Sequence, residues 1–433
     1  MSLLNDKDFE ELVPASLNLF TLPPYQTSIY QHYFVDVRPL SQINNSSPLE
    51  FQVSNSGSDY IDLKRSRLHV TLKVKHADDT VLDADEHIAP VNLFLQSLFS
   101  QVSVYLQSQL VSSTNNHYAY KSIMKTLLNY GLEAKSTQLS SQLFYKDMAE
   151  VNDDMESTDP ITGSNSGLGT RASFIQKSKV LTMSGPLYED IFNMNRHLIN
   201  GVDLTLKLYR SAPKFCLMSG ASGKEYTIEL LDAYLKVCKL KVNPALILAH
   251  NTLFQNSNAL YPYTKSEVKV TSIPTTQQTH TIDNVSNPIA SRYIVGFVES
   301  DSLNGKYTGN PFNFQSSMLK TISLYVDGVS VPGRPTQADD IDSYVNIFDG
   351  MDLWGKDKGN NISRSEFLLG SGLFVFEIDM VCAESEYLNL VKSGSVRLEI
   401  EFKSALTKTL SCVILSERNS IIEIDKTRNV FIK

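Results

Sequence analysis

Two acidic runs and one glycine–lysine stretch concentrate the side chains of this 433-residue sequence that could do chemistry. Asp83, Asp85, Glu86 and His87 have the oxygen and imidazole donors of a divalent-cation site. Their spacing matches no EF-hand loop, and they fall between two strand-like segments, so the run reads as a solvated acidic turn. Asp153, Asp154, Glu156 and Asp159 form a second run inside a glycine-bearing loop. It has the chemistry of a weak cation site at a subunit contact, or of one more solvated loop. The stretch 220–225 (GASGKE) has the composition of a phosphate loop. Its first glycine is too near Lys224, however, and Glu225 stands where Ser or Thr would hold magnesium, so it reads as a turn.

Cys216, Cys238, Cys382 and Cys412 are far apart and form no Cys-x-x-Cys pair, which indicates neither zinc nor redox chemistry. They are expected to be buried small hydrophobes in a reducing compartment. The eight histidines are scattered, and no Ser–His–acid or Cys–His set can be assembled from spacing. No catalytic, cofactor-binding or metal-ligating residue is therefore assigned, no cofactor is expected, and the chain is read as not an enzyme.

The elements around these runs are mostly strands. In residues 202–208 (VDLTLKL) every second side chain is apolar, the mark of a strand with one face buried and one wet. Residues 68–74, 102–106 and 396–402 repeat the pattern. Further strands are expected at 29–37, 51–53, 268–273, 293–298, 374–380 and 410–415, about fourteen in all by this template. Between Tyr226 and Val242 the phase changes, from Ala233, Leu235 and Val237 to Cys238, Leu240 and Val242, which predicts a bulge near Val237. Helical spacing is confined to 117–130, with Tyr120, Ile123, Met124, Leu127 and Leu128 on one face, and to 341–354, with Val345, Phe348 and Leu353. Both helices are expected to pack in a core, with Trp354 as an anchor. Twenty Tyr and 20 Phe against one Trp tilt the composition further toward β.

The two halves match. Ser103-Val104-Tyr105-Leu106 aligns with Ser323-Leu324-Tyr325-Val326, each followed by a polar turn, then Val111 or Val331, then a helical stretch. The strands at 202–208 and 396–402 make a second matched pair, each followed by another apolar strand. A duplicated β-domain explains that shared order. The seam is placed at Val242-Asn243-Pro244, because proline cannot continue a ladder. This gives an arm over residues 1–24, one domain over 25–242 and a second over 243–433. Two long polar connections, 147–171 and 300–317, read as surface loops.

A net charge of −8 argues against a surface that wraps nucleic acid, which needs excess Lys and Arg. No sequence-specific nucleic-acid binding is expected. No apolar run is long enough to span a bilayer, and the acidic start, with Asp6 and Asp8, does not read as a signal peptide. Cytosolic synthesis is expected, so the glycosylation sequons at Asn44 and Asn361 carry little weight.

Residues 22–29 (LPPYQTSI), 59–63 (DYIDL), 90–102 (PVNLFLQSLFSQV), 126–131 (TLLNYG) and 141–145 (SQLFY) together resemble the major capsid proteins of Polinton (Maverick) elements and adintoviruses. The resemblance is dense from Leu19 to Val242 and looser beyond. It implies an all-β protein of two tandem eight-stranded jelly rolls with a few short helices. It further implies a homotrimeric, pseudo-hexameric capsomer in the icosahedral shell of a virion, with penton and minor capsid proteins as partners. The long loops would then project outward, and the arm, with Leu3, Leu4, Phe9 and Leu12 among acids, would tie to a neighbour. The competing reading is a jelly-roll module of host origin that binds glycans or proteins and forms no shell.

Overall fold

Alternating sequences close into sandwiches because each strand must bury one row of side chains against another sheet. The computed structural model describes residues 13–14, 16–44, 47–148, 163–221, 223–379 and 387–433. Leu3, Leu4, Phe9 and Leu12, the run from Asp153 to Asp159, and Cys382 lie outside the described residues. In the first half the strands of the two large sheets are β1 (Ile29–Val37), β2 (Leu49–Val53), β3 (Tyr60–His76), β4 (Phe99–Leu106), β5 (Gln109–Ser113), β6 (Leu181–Gly185), β7 (Leu204–Arg210) and β8 (Tyr226–Val242). One sheet runs β1-β8-β3-β6 and the other β2-β7-β4-β5, antiparallel throughout.

The second half contains β9 (Ala259–Ile273), β10 (Thr279–Ile282), β11 (Arg292–Glu299), β12 (Leu319–Val326), β13 (Val329–Gln337), β14 (Leu373–Glu377), β15 (Val396–Phe402) and β16 (Leu410–Ile424). Its sheets run β9-β16-β11-β14 and β10-β15-β12-β13, with β17 (Val430–Ile432) added beside β16. Equivalent strands differ by eight in number at every position of both sheets. This is the jelly-roll order, twice. Ser103–Leu106 ends β4 and Ser323–Val326 ends β12, so the short sequence match marks equivalent strands.

Four helices of eight residues or more fill the connections among the described residues: α1 (Tyr118–Asn129), α2 (Ser166–Ser173), α3 (Pro244–Leu253) and α4 (Ile341–Gly350). α1 and α4 follow β5 and β13 at equivalent points, as the aligned halves require. The expected phase change in β8 is a bulge: Val237 and Cys238 are both buried, and the register against β3 shifts between Lys236 and Cys238.

The hydrophobic cores cross between the halves. Tyr118 of α1 packs in the first core, whereas Tyr120, Ile123, Met124, Leu127 and Leu128 pack with Tyr293, Val295 and Leu415 of the second. In return, Tyr261, Ile422 and Val430 join the first core. The α1 helix is nearly all buried because it lies between two sandwiches, not on one.

Two expectations need correction. The connection 300–317 does not project: Phe312, Asn313, Phe314 and Ser316 in it are buried, and the Tyr307 ring meets Tyr226 edge-on at 5.3 Å. Trp354 is no core anchor but is 68% exposed, with the Phe348 ring against it at 6.1 Å. The face that α4 buries is Ser343, Ile347 and Gly350, because Gly350 allows close approach to Val375.

Candidate functional site

The densest charged constellation sits where the halves meet. Lys121 and Lys125, four residues apart, share one face of α1. Lys121 is fully buried, its Nζ 3.1 Å from Glu189 Oε2 and 3.0 Å from Asp190 Oδ1. Lys125 Nζ lies 3.1 Å from Asp190 Oδ1 and 3.5 Å from Glu417 Oε1, and donates to Ser266 Oγ at 2.7 Å. From the second half, the Ser266 N–H donates to Asp190 at 2.8 Å, and Arg292 Nε donates to Glu417 at 3.0 Å.

Burial alone would raise the Glu417 carboxyl, but Arg292 and Lys125 outweigh it and hold the group down at about 2. Burial likewise opposes ionisation of Asp190, and Lys121 and Lys125 pull it below the usual carboxylate range. Lys121 is pushed down by burial and more than restored by Asp190 and Glu189. Nearby, burial and then repulsion from Lys146 push Lys135 down to about 7. Its Nζ donates to Leu127 O at 2.9 Å in the first half and to Asn360 O at 2.6 Å in the second.

A cleft of about 800 Å3 opens over this network, walled by Tyr130, Met194, Pro262, Tyr263 and Tyr387. Its Lys125, Asp190, Arg292 and Glu417 neutralise one another. A carboxylate held at about 2 is a poor general base near neutral pH. The arrangement clamps the two sandwiches together.

The residues singled out from the sequence meet in an unexpected way. Asp83 and Asp85 are exposed, but Glu86 is buried. Glu86 Oε2 lies 3.0 Å from His76 Nε2, and Oε1 accepts from Lys224 Nζ at 2.8 Å and Tyr226 OH at 2.9 Å. Burial raises this carboxyl; the Lys224 and Tyr226 hydrogen bonds overcome that and hold it low. The acidic turn and the 220–225 turn are thus two sides of one polar clasp. The reading of a wholly solvated turn fails at Glu86 because Lys224, far away in sequence, closes over it.

Arg171 gave no signal in the sequence. It is fully buried, with Nε donating to Pro90 O at 2.8 Å and Nη2 to Asp147 at 2.7 Å, so it pins both ends of the 147–171 connection. Cys216, Cys238 and Cys412 are free and buried; burial pushes the Cys216 thiol up to about 12, which makes it inert. Among the described residues, no group of three or more His, Cys, Asp and Glu is placed to hold a metal ion. Nor is any helix among them long and apolar enough to cross a membrane.

Apolar side chains open to solvent are the other candidate surface. Leu17, Leu19, Phe20, Leu22 and Tyr25 precede β1 and are all exposed, Phe20 by 97%. On α3, Leu248 and Leu253 are exposed as well. Exposed apolar side chains gathered in one segment are candidates for contact with another molecule.

No protein-family model matches the chain. Over 430 residues it is 23% identical to the Caenorhabditis elegans uncharacterized protein F54H12.2, spanning 94% of this chain and 98% of that one. Among solved structures, a chain of the Sputnik virophage superposes with a TM-score of 0.67 at 11% identity, over 98% of this chain and 93% of its own. The Faustovirus major capsid protein gives 0.59 at 10% identity, over 94% and 93%. The mavirus major capsid protein gives 0.52 at 11% identity, over 99% and 96%. With both strand orders in place, the chain has the double jelly-roll fold found in viral major capsid proteins.

Proposed function

We propose that this chain is a structural, non-enzymatic major capsid protein that assembles as a homotrimer. Six sandwiches in a ring then make a pseudo-hexameric capsomer, and capsomers build an icosahedral shell. The observation that carries this reading is the duplication: two jelly rolls of one strand order, locked at a fixed angle by shared cores and a buried ionic clamp. A rigid pair of similar units, repeated three times about an axis, fills a site of near-sixfold symmetry with closed head-to-tail contacts.

The chain divides into an arm over 1–24, a first jelly roll over 25–242 and a second over 243–433. Polinton elements and adintoviruses are the proposed source, and an animal relative that matches nearly end to end supports a chain carried in animal genomes. Synthesis in the host cytoplasm, residence in the virion shell, and penton and minor capsid partners belong to the same reading.

Electron microscopy of the concentrated protein tests it. Six-lobed capsomers, and closed particles built from them, are expected. Single double-lobed molecules at every concentration would favour a host-derived binding module instead.

A further inference from the structure

The cleft over the ionic clamp is built by both halves. The end of α1 and the connection 186–203 wall it from the first half, and β9 and β16 wall it from the second. Its volume of about 800 Å3 lies in the range of ligand pockets. Asn129, Asn193 and Asn419 line it, and among the described residues their side-chain amides make no hydrogen bond to protein. Each amide offers two donors and an acceptor. The Tyr263 hydroxyl in the same wall is buried, with Ser420 beside it, yet makes no well-formed hydrogen bond. Buried polar atoms are normally satisfied, so this one calls for a partner. Tyr130 and Tyr387 add ring surface, and Tyr387 is 48% exposed.

The charges on these walls cancel, with one exception. Lys125, Asp190, Arg292 and Glu417 are paired within the clamp, and Arg418 lies 3.0 Å from Glu267. Arg196 stands exposed at the rim, where its guanidinium donates to Leu260 O. Among the described residues, no carboxylate forms an ion pair with it. Glu423, opposite Leu260 in register, is engaged by Lys433 and Asn258. Asp62 is engaged by Arg65 and His197.

A single guanidinium fork beside a neutral, amide-lined cleft fits a ligand with one carboxylate on a neutral polar body. A sugar is such a body, with hydroxyls for the amides and C–H faces for the tyrosine rings. A nucleic-acid strand needs cations along its whole track. A purely apolar ligand would leave the amides unpaired.

We propose that this cleft binds an acidic oligosaccharide, with its carboxylate on Arg196 and its hydroxyls on Asn129, Asn193, Asn419 and Tyr263. A shell protein and a monomeric binding module are equally able to carry such a site, so the proposal stands or falls apart from the self-assembly reading.

Calorimetric titration of the purified full chain tests it, with sialyllactose and the glucuronate-bearing hyaluronan disaccharide as acidic probes and lactose as the neutral one. At least one acidic probe should bind at one site per chain, about tenfold more tightly than lactose, and weaken as salt rises. Arg196→Gln should bring that probe down to the level of lactose and leave lactose unchanged. Asn129→Ala combined with Asn193→Ala should weaken both. Arg196, Asn129 and Asn193 are exposed, so these variants should keep the wild-type mass and thermal midpoint. Failure of both acidic probes to bind, equal binding of lactose, or indifference to Arg196→Gln would overturn the proposal. A chain that binds the acidic probe but stays monomeric would count against the capsid reading alone.

Discussion

In the first jelly roll, β3 alternates between buried and half-buried side chains from Leu68 to Lys75, and its outer face meets solvent. The equivalent strand of the second, β11, is buried without a break from Tyr293 to Val298. Strand order is the same, but the surroundings are not. Helix α4 lies on β14, Phe314 packs over Gly296, and α1 from the other half shares the core with β11. A sheet covered on both faces reads as a continuous apolar run, and a sheet covered on one reads as alternation. The topology is therefore the same in both halves, and what differs is the covering: one copy leaves its outer face open, and the other forms part of the junction.

The largest expected effect lies at that junction. Lys121→Met should leave Glu189 as a buried charge without its cation and Asp190 with Lys125 alone, and cost about 3–5 kcal/mol, read as a lower urea midpoint. Little change would mean that water reaches the network and the clamp is not buried. Acid should act next. Glu417 has its ordinary value of 4.5 in the unfolded chain and about 2 in the folded one. Its stabilising contribution is thus complete above pH 4.5 and is lost as pH falls toward 2. That is about 3 kcal/mol by linkage, and Glu417→Gln should flatten the acid limb of a stability–pH curve.

A smaller effect sharpens the comparison directly. A Cβ at Gly296 would lie 2.6 Å from the Phe314 ring and 2.8 Å from Leu373, so Gly296→Ala should cost about 1–3 kcal/mol by overpacking. Smallest of all, Lys73→Gln on the open face of β3 should change stability by under about 0.5 kcal/mol. Equal thermal shifts for these two would show that the sheets are covered alike.

Much of the fold was legible because alternation is a local signal. Strands β1 and β15 fall on 29–37 and 396–402 as read, and the bulge announced itself as a phase change at Val237. Helix α3 was missed although Asn243 caps it and Pro244 opens it; the proline was read only as the end of a strand, when it also starts a helix. Helix α2 hides in a glycine-bearing stretch and is held by Arg171, whose partners Pro90 and Asp147 lie far off in sequence. The clamp was illegible for the same reason: Lys121, Asp190, Arg292 and Glu417 come from four distant segments.

The most direct test of the capsid account is the mass of the purified protein in solution by light scattering. A stable species at three times the 48.4 kDa chain mass, across a range of concentrations, is the predicted result. A monomer that persists at high concentration would contradict it.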